Sequence, residues 1–144
     1  MTLAVEENFK IIEINSYDCF AILKKNKHSH LIDVRTKPEW EFVGIPDLTS
    51  INKQTIFISW QLYPDMKINY GFGKEILRSK IKQEDIIFAI CRSGNRSHEA
   101  AQYLSKLGYR KIYNVSDGFE GNKDLGNHRS KLNGWKYNKL PWKQ

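Results

Sequence analysis

Apolar positions along this chain fall into two alternating patterns, short β-rich runs and stretches where they recur every three or four residues. The first run, Lys10–Asn15 (KIIEIN), predicts a strand. Ser16 then reads as the cap of a helix through YDCFAILKK, with Asp18 near the positive end of its dipole and Lys24–Lys25 near the negative end. Cys19, Ile22 and Leu23 form one apolar stripe on it, so Cys19 reads as a small core residue. His30–Arg35 (HLIDVR) predicts a second strand. Pro38, Gly44 and Pro46 break the next segment into a loop with one helical turn at Glu39–Phe42.

Thr55–Leu62 (TIFISWQL) is again β-rich, and Tyr63–Gly73 reads as a connection. Lys74–Ile81 predicts a short helix with Leu77 and Ile81 on one face and Ile76 beside them. Asp85–Ile90 (DIIFAI) is almost continuously apolar, as in a strand covered on both faces of a parallel sheet. Ser97–Leu107 follows as a helix with Ala100, Ala101, Leu104 and Leu107 on its stripe and Gly108 as its stop. Lys111–Val115 (KIYNV) predicts the last strand, and Ser116–Gly121 a turn. The tail from Lys123 is expected to wrap the surface, pinned by Trp135 and Trp142. Strands and helices alternating in this order predict an α/β layer fold with a largely parallel sheet.

Composition narrows the picture. The length of 144 residues suits one domain, expected as a core over about 10–122 and a tail over about 123–144. With 40% hydrophobic and 12% aromatic residues, a disordered chain is excluded. No stretch approaches the ~20 apolar residues of a membrane span. The start, MTLAVEENFKII, lacks the basic then apolar order of a secretory signal. Two distant Cys, at 19 and 91, make neither a disulfide framework nor a metal site, so a reducing cytoplasm is expected. The net charge of +7 is dispersed and carries no nucleic-acid motif, so neither nucleic acid nor membrane is expected as a partner.

Chemistry concentrates at the end of the most apolar strand, where ligands bind in open α/β sheets. Cys91-Arg92-Ser93-Gly94-Asn95-Arg96-Ser97 leads from that strand into a helix. Such a loop can aim successive backbone N–H groups at one point, an anion cradle, and Gly94 permits a positive φ there. Arg92 and Arg96 add positive charge. A cysteine kept only for packing needs none of these neighbours, so Cys91 reads as a reactive sulfur favoured as thiolate.

This loop, together with Leu31-Ile32-Asp33-Val34-Arg35 and Glu39-Trp40, resembles the rhodanese family. Gly108-Tyr109, Asn114-Val115 and Asp117-Gly118-Phe119-Glu120-Gly121 extend the likeness, and Gly134-Trp135-Lys136 with Leu140-Pro141-Trp142 resembles a tail of one bacterial subgroup. The resemblance implies a three-layer fold, a mostly parallel five-stranded sheet with helices on both faces. It also implies a sulfurtransferase. Cys91 would take sulfane sulfur from a small anionic donor such as thiosulfate, hold it as a persulfide, and pass it to cyanide or a thiol, with no cofactor and no metal. In this reading the amides of Arg92, Ser93, Gly94, Asn95 and Arg96 cradle the persulfide, and Arg92 and Arg96 contact the donor. A second reading makes the chain a persulfide carrier docked to a protein donor or acceptor. A Cys-based phosphatase fits less well, because that class spaces its Cys and Arg by five residues and Cys91–Arg96 leaves four. The family's Gly-His-Ile-Pro-Gly stretch is here Gly44-Ile45-Pro46-Asp47, so no His from that loop is assigned a role.

The remaining candidates read more plainly. Asp33 and Arg35, at a strand end, could support the site, but read first as a polar set fixing the loop around Glu39. His28 and His30 lack further ligands and read as a solvated turn. Trp60 reads as core packing. Gly71-Phe72-Gly73 lacks the third glycine of a dinucleotide loop and reads as a turn.

Overall fold

Residues 10–144 are described here from a computed structural model; the reading of residues 1–9 as lacking a signal lies outside them. In chain order the elements are β1 (Ile12–Ile14), α1 (Ser16–Lys25), β2 (Ser29–Asp33), α2 (Lys37–Phe42), β3 (Ile45–Pro46), a 3-10 turn (Thr49–Ile51), β4 (Ile56–Phe57), β5 (Gln61–Leu62), β6 (Lys67–Ile68), α3 (Phe72–Arg78), β7 (Ile86–Ile90), α4 (Asn95–Lys106), β8 (Lys111–Val115) and β9 (Trp142–Lys143). Five strands form one sheet in the order β1-β8-β7-β2-β4, and every pairing in it is parallel.

The apolar run of β7 explains its central place. Ile87 faces the layer of α3 and α4, where it meets Phe72, Ile76, Ala100 and Leu104. Phe88 and Ile90 face the opposite layer, with Cys19 and Leu23 of α1, Phe119 and Trp135. Period-two alternation sends neighbours to opposite faces, so a strand covered on both sides must be apolar throughout. Each such side chain contributes about 1.5–3 kcal/mol by leaving water. Cys19 is wholly buried, and burial, aided by the Asp117 charge, pushes its thiol up, so it stays protonated in the core.

Several elements depart from expectation. Asn15, not Ser16, caps α1: its side chain accepts from the Asp18 amide, while Ser16 is buried and bound to Asp117. Only Ile56–Phe57 of the β-rich Thr55–Leu62 run is strand in the sheet; Ile58 N and Trp60 N still donate to Asp33 O and Val34 O, and Gln61–Leu62 then pairs antiparallel with Lys67–Ile68. Helix α3 begins at Phe72, so its buried pair is Phe72 and Ile76, one turn apart, and Leu77 is left exposed. Ser29 and His30 lie in β2 rather than a turn, and His30 Nε2 meets Asp85 at 2.9 Å.

The tail does not merely wrap the surface. Trp135 is wholly buried against α1, edge-on to Phe20, and its Nε1 donates to the Pro141 carbonyl at 2.7 Å. Asp47 N donates to Pro141 O, and β9 pairs antiparallel with β3. A large aromatic seated in the core outweighs the turn-forming residues around it. Among the described residues no helix is long and apolar enough to cross a membrane.

Candidate active site

Strand β7 delivers Cys91 to the carboxyl edge of the sheet, and α4 starts four residues later. Gly94, at φ +106°, makes the turn between them. A side chain there would be strained, and its Cβ would overlap the Ser116 carbonyl oxygen. The loop thus lies flat against the segment after β8, whose backbone grips it. Phe119 N donates to Cys91 O at 2.8 Å, and the Glu120 and Gly121 amides donate to Arg92 O at 3.0 and 3.1 Å. Gly118, at φ +65°, allows this approach, since a Cβ on it would overlap the Arg92 carbonyl. Asp117 anchors the gripping segment by accepting from Ser16 N, Ser16 Oγ and Gly134 N.

Within this frame Cys91 is 1% exposed. Two backbone amides point at Sγ, Gly94 N at 3.2 Å and Ser97 N at 3.3 Å, and Ser97 Oγ lies 3.2 Å away. Both amides belong to the start of α4, so the helix dipole adds positive potential at the same place. Such donors solvate an anionic sulfur without water and could receive an anion carried on it.

Of the expected cradle, Arg92 to Arg96, the Gly94 amide alone is hydrogen-bonded to Sγ among the described residues, and the second amide comes from Ser97, one residue beyond it. The side chains of Arg92, Ser93 and Asn95 have no hydrogen-bond partner among the described residues, and Arg92 and Asn95 are exposed at the rim. Arg96, expected to contact a donor, is paired within the protein. Its guanidinium takes Glu39 of α2 in a two-point pair, Nη1–Oε1 at 2.7 Å and Nη2–Oε2 at 2.9 Å. The cause is local: Thr36 and Glu39 form a capping box that aims the Glu39 carboxylate at the loop. Burial pushes the Glu39 carboxyl up, but the Arg96 hydrogen bonds and charge, helped by Thr36, outweigh it and hold the group at about 2. Burial likewise works against the Arg96 charge, yet Glu39, and behind it Cys91 and Asp33, raise the guanidinium above its ordinary value.

Asp33 and Arg35 are fully buried and pair with each other, Arg35 Nε on Oδ1 at 3.0 Å and Nη2 on Oδ2 at 2.7 Å. Arg35 also donates to Gly44 O at 2.7 Å, and its Cζ lies 4.3 Å over the Phe119 ring. They therefore fix the loop after α2 and the gripping segment, while Glu39 belongs to Arg96. Trp60 packs against Phe72 and Tyr103, with Nε1 on Glu99 at 3.0 Å.

Asn114 of β8 was not among the expected site residues. It is buried, accepts from Ser97 Oγ, and donates from Nδ2 to Gly94 O at 3.1 Å and Glu13 Oε1 at 2.9 Å. A signal for it was present: it is the one carboxamide in an otherwise apolar and aromatic strand interior, near that strand's carboxyl end.

Comparison with known proteins places the chain among relatives. A family model described as the STR4 middle domain matches residues 12–144. The Rickettsia conorii (strain ATCC VR-613 / Malish 7) protein called "Uncharacterized protein RC0915" is 45% identical over 129 residues, covering 90% of this chain and 94% of that one. The crystal structure of Rv0390 from M. tuberculosis is similar with a TM-score of 0.83 at 39% identity, over 92% of this chain and 96% of that chain. A putative mitochondrial thiosulfate sulfurtransferase of Schizosaccharomyces pombe (strain 972 / ATCC 24843) is 33% identical over 92 residues, 63% of this chain and 61% of that protein. A rhodanese-related protein from Thermoplasma volcanium shares the fold, with a TM-score of 0.53 at 20% identity over 92% of this chain and 97% of that chain.

Proposed function

We propose that this chain, which belongs to the STR4 middle domain family and has a rhodanese-like fold, is a sulfurtransferase that carries sulfane sulfur on Cys91. The observation that carries the reading is the pair of α4 amides, Gly94 N and Ser97 N, converging on Sγ. The chain's likeness to a putative thiosulfate sulfurtransferase supports the same reaction class.

In the first half-reaction the Cys91 thiolate attacks the outer sulfur of thiosulfate. A new S–S bond forms, the donor's own S–S bond breaks, and its electron pair leaves with sulfite. The outer sulfur of the resulting persulfide is then attacked by cyanide or a thiolate. The Cys91 S–S bond breaks, its pair returns to Sγ, and the leaving thiolate is received by the same amides. This is covalent catalysis by double displacement, and the charge held at Cys91 stays on sulfur in both halves. Arg92, exposed at the rim, is assigned to the anionic donor. Arg96 is assigned to the loop itself, since Glu39 holds its guanidinium.

The test is thiocyanate formation from thiosulfate and cyanide, with the intact mass of the protein followed after thiosulfate alone. Wild type is expected to gain about 32 Da, one sulfur atom, and to turn over, whereas Cys91→Ser does neither (a persulfide is a reversible Cys cap). Equal thiocyanate production by the two proteins would sink the proposal.

A further inference from the structure

The Ser97 hydroxyl has one hydrogen and several acceptors around it: Asn114 Oδ1, Gly94 O at 3.2 Å, and the Cys91 sulfur at 3.2 Å. The Asn114 carboxamide decides among them. Its Nδ2 lies between Gly94 O and Glu13 Oε1, both acceptors only, so the amide cannot be turned over without setting oxygen against oxygen. Oδ1 must therefore face Ser97, and among the described residues Ser97 Oγ is its donor. Gly94 O is already served by His98 N and by Asn114 itself. The Ser97 hydrogen thus goes to Asn114, and Oγ turns a lone pair towards Sγ.

We propose that Asn114 is a positioning residue: by taking the Ser97 hydrogen it makes Oγ an acceptor for the Cys91 S–H, so that ionisation of Cys91 requires the hydroxyl to swing round. When the thiol proton leaves to solvent, the Ser97 O–H turns to donate to the sulfur anion, joining the two amides, and Asn114 Oδ1 gives up its donor. Against the thiol the hydroxyl is an acceptor, and it becomes the third donor only when negative charge is on the sulfur. The functional weight of this rests on the reading of Cys91 as the sulfur carrier.

Charged groups around the loop set a background for this switch. They are Arg92 and Arg96 in the loop, Asp33 and Arg35 at the end of β2, Glu39 of α2 through Arg96, Glu13 of β1 through Asn114, and His98 of α4, which meets Glu13 at 3.1 Å. None of them is hydrogen-bonded to Sγ itself among the described residues. Their influence persists whether or not Ser97 carries a hydroxyl, and that separates the two effects.

The experiment is the pH dependence of Cys91 alkylation by iodoacetamide, read by mass on the Cys91 peptide, in wild type, Asn114→Ala, Ser97→Ala and the double variant. Removing Asn114 leaves the Ser97 hydrogen to the sulfur and to Gly94 O, which His98 N still serves. Asn114→Ala is expected to move the midpoint down by about half to one pH unit, the equivalent of one ordinary hydrogen bond. In the Ser97→Ala background the same substitution is expected to move it far less. An equal shift in both backgrounds, no shift, or an upward shift with Ser97 present overturns the proposal. Should Asn114→Ala fail to fold, the side-chain amide resonances of Asn114 in the wild-type protein give the answer: they should titrate in step with alkylation and stand still in Ser97→Ala. Resonances unmoved across that range in wild type overturn it equally. Alkylation asks nothing of a sulfur donor, so a Ser97-dependent shift in a protein that transfers no sulfur would retire the functional reading alone.

Discussion

Replacing Glu39 by Gln removes the charge that holds Arg96 while keeping the side chain's shape. In the folded protein the Glu39 carboxyl is held at about 2, against an ordinary value of 4.5. That interval corresponds to a ceiling of about 3 kcal/mol of stability at neutral pH. The paired side chains remain 16% and 19% exposed, and solvent screening brings the expected loss in Glu39→Gln to about 1–2 kcal/mol. The sign follows from the depressed folded value. The contribution is complete above 4.5, where the unfolded chain is also ionised, and it erodes as pH falls because the unfolded state takes up its proton first. It is gone once pH passes below about 2. Urea unfolding of both proteins at pH 7 and at stepwise lower pH measures the difference directly, with unchanged m-values as the check on two-state behaviour. The gap should be widest at neutral pH and should close towards acid. A gap of constant size across that range would refute the ion pair as its source.

Three further outcomes follow from the packing. Gly94→Ala should abolish sulfur uptake and lower the unfolding midpoint, because a Cβ at φ +106° is strained and overlaps the Ser116 carbonyl; mass after thiosulfate and a urea curve test both. Arg35→Ala leaves Asp33 charged and unpaired in the interior and should cost about 3–5 kcal/mol in the same urea measurement, so a loss below 1 would contradict the buried pair. Trp135→Ala should cost about 3–5 kcal/mol by thermal or urea unfolding, against the near-neutral effect expected of a residue lying on the surface.

Much of the sheet was legible because it depends on local pattern. The apolar run at Asp85–Ile90 and the alternating Lys111–Val115 segment mark strands by their own residues, and the structure places β7 and β8 at Ile86–Ile90 and Lys111–Val115. Thr55–Leu62 misled because β-rich composition does not state which residues find a neighbour, and β4 is only two residues long. Within the site, the order of residues in the loop indicated a turn into a helix with Gly94 at its corner. It could not indicate that Glu39, 57 residues before Arg96, would claim that guanidinium, nor that Asn114 would reach Ser97 from another strand. Turn-formers around Trp135 point to a surface tail, whereas its burial comes from packing with Cys19, Phe20 and Leu23 of α1, a contact between distant segments. Contacts between distant segments are decided by tertiary geometry, which local propensity does not encode.

The backbone clasp between residues 118–121 and the Cys91–Arg92 carbonyls has a consequence for how the protein matures. Those clasping residues are themselves moored by Trp135 N on Gly118 O and Lys136 N on Phe119 O. During synthesis the chain therefore emerges from the ribosome some 45 residues beyond Cys91 before both moorings exist, at ordinary elongation a delay of about 2–9 s. Until then the segment that grips the Cys91 and Arg92 carbonyls lacks both of its moorings to the tail.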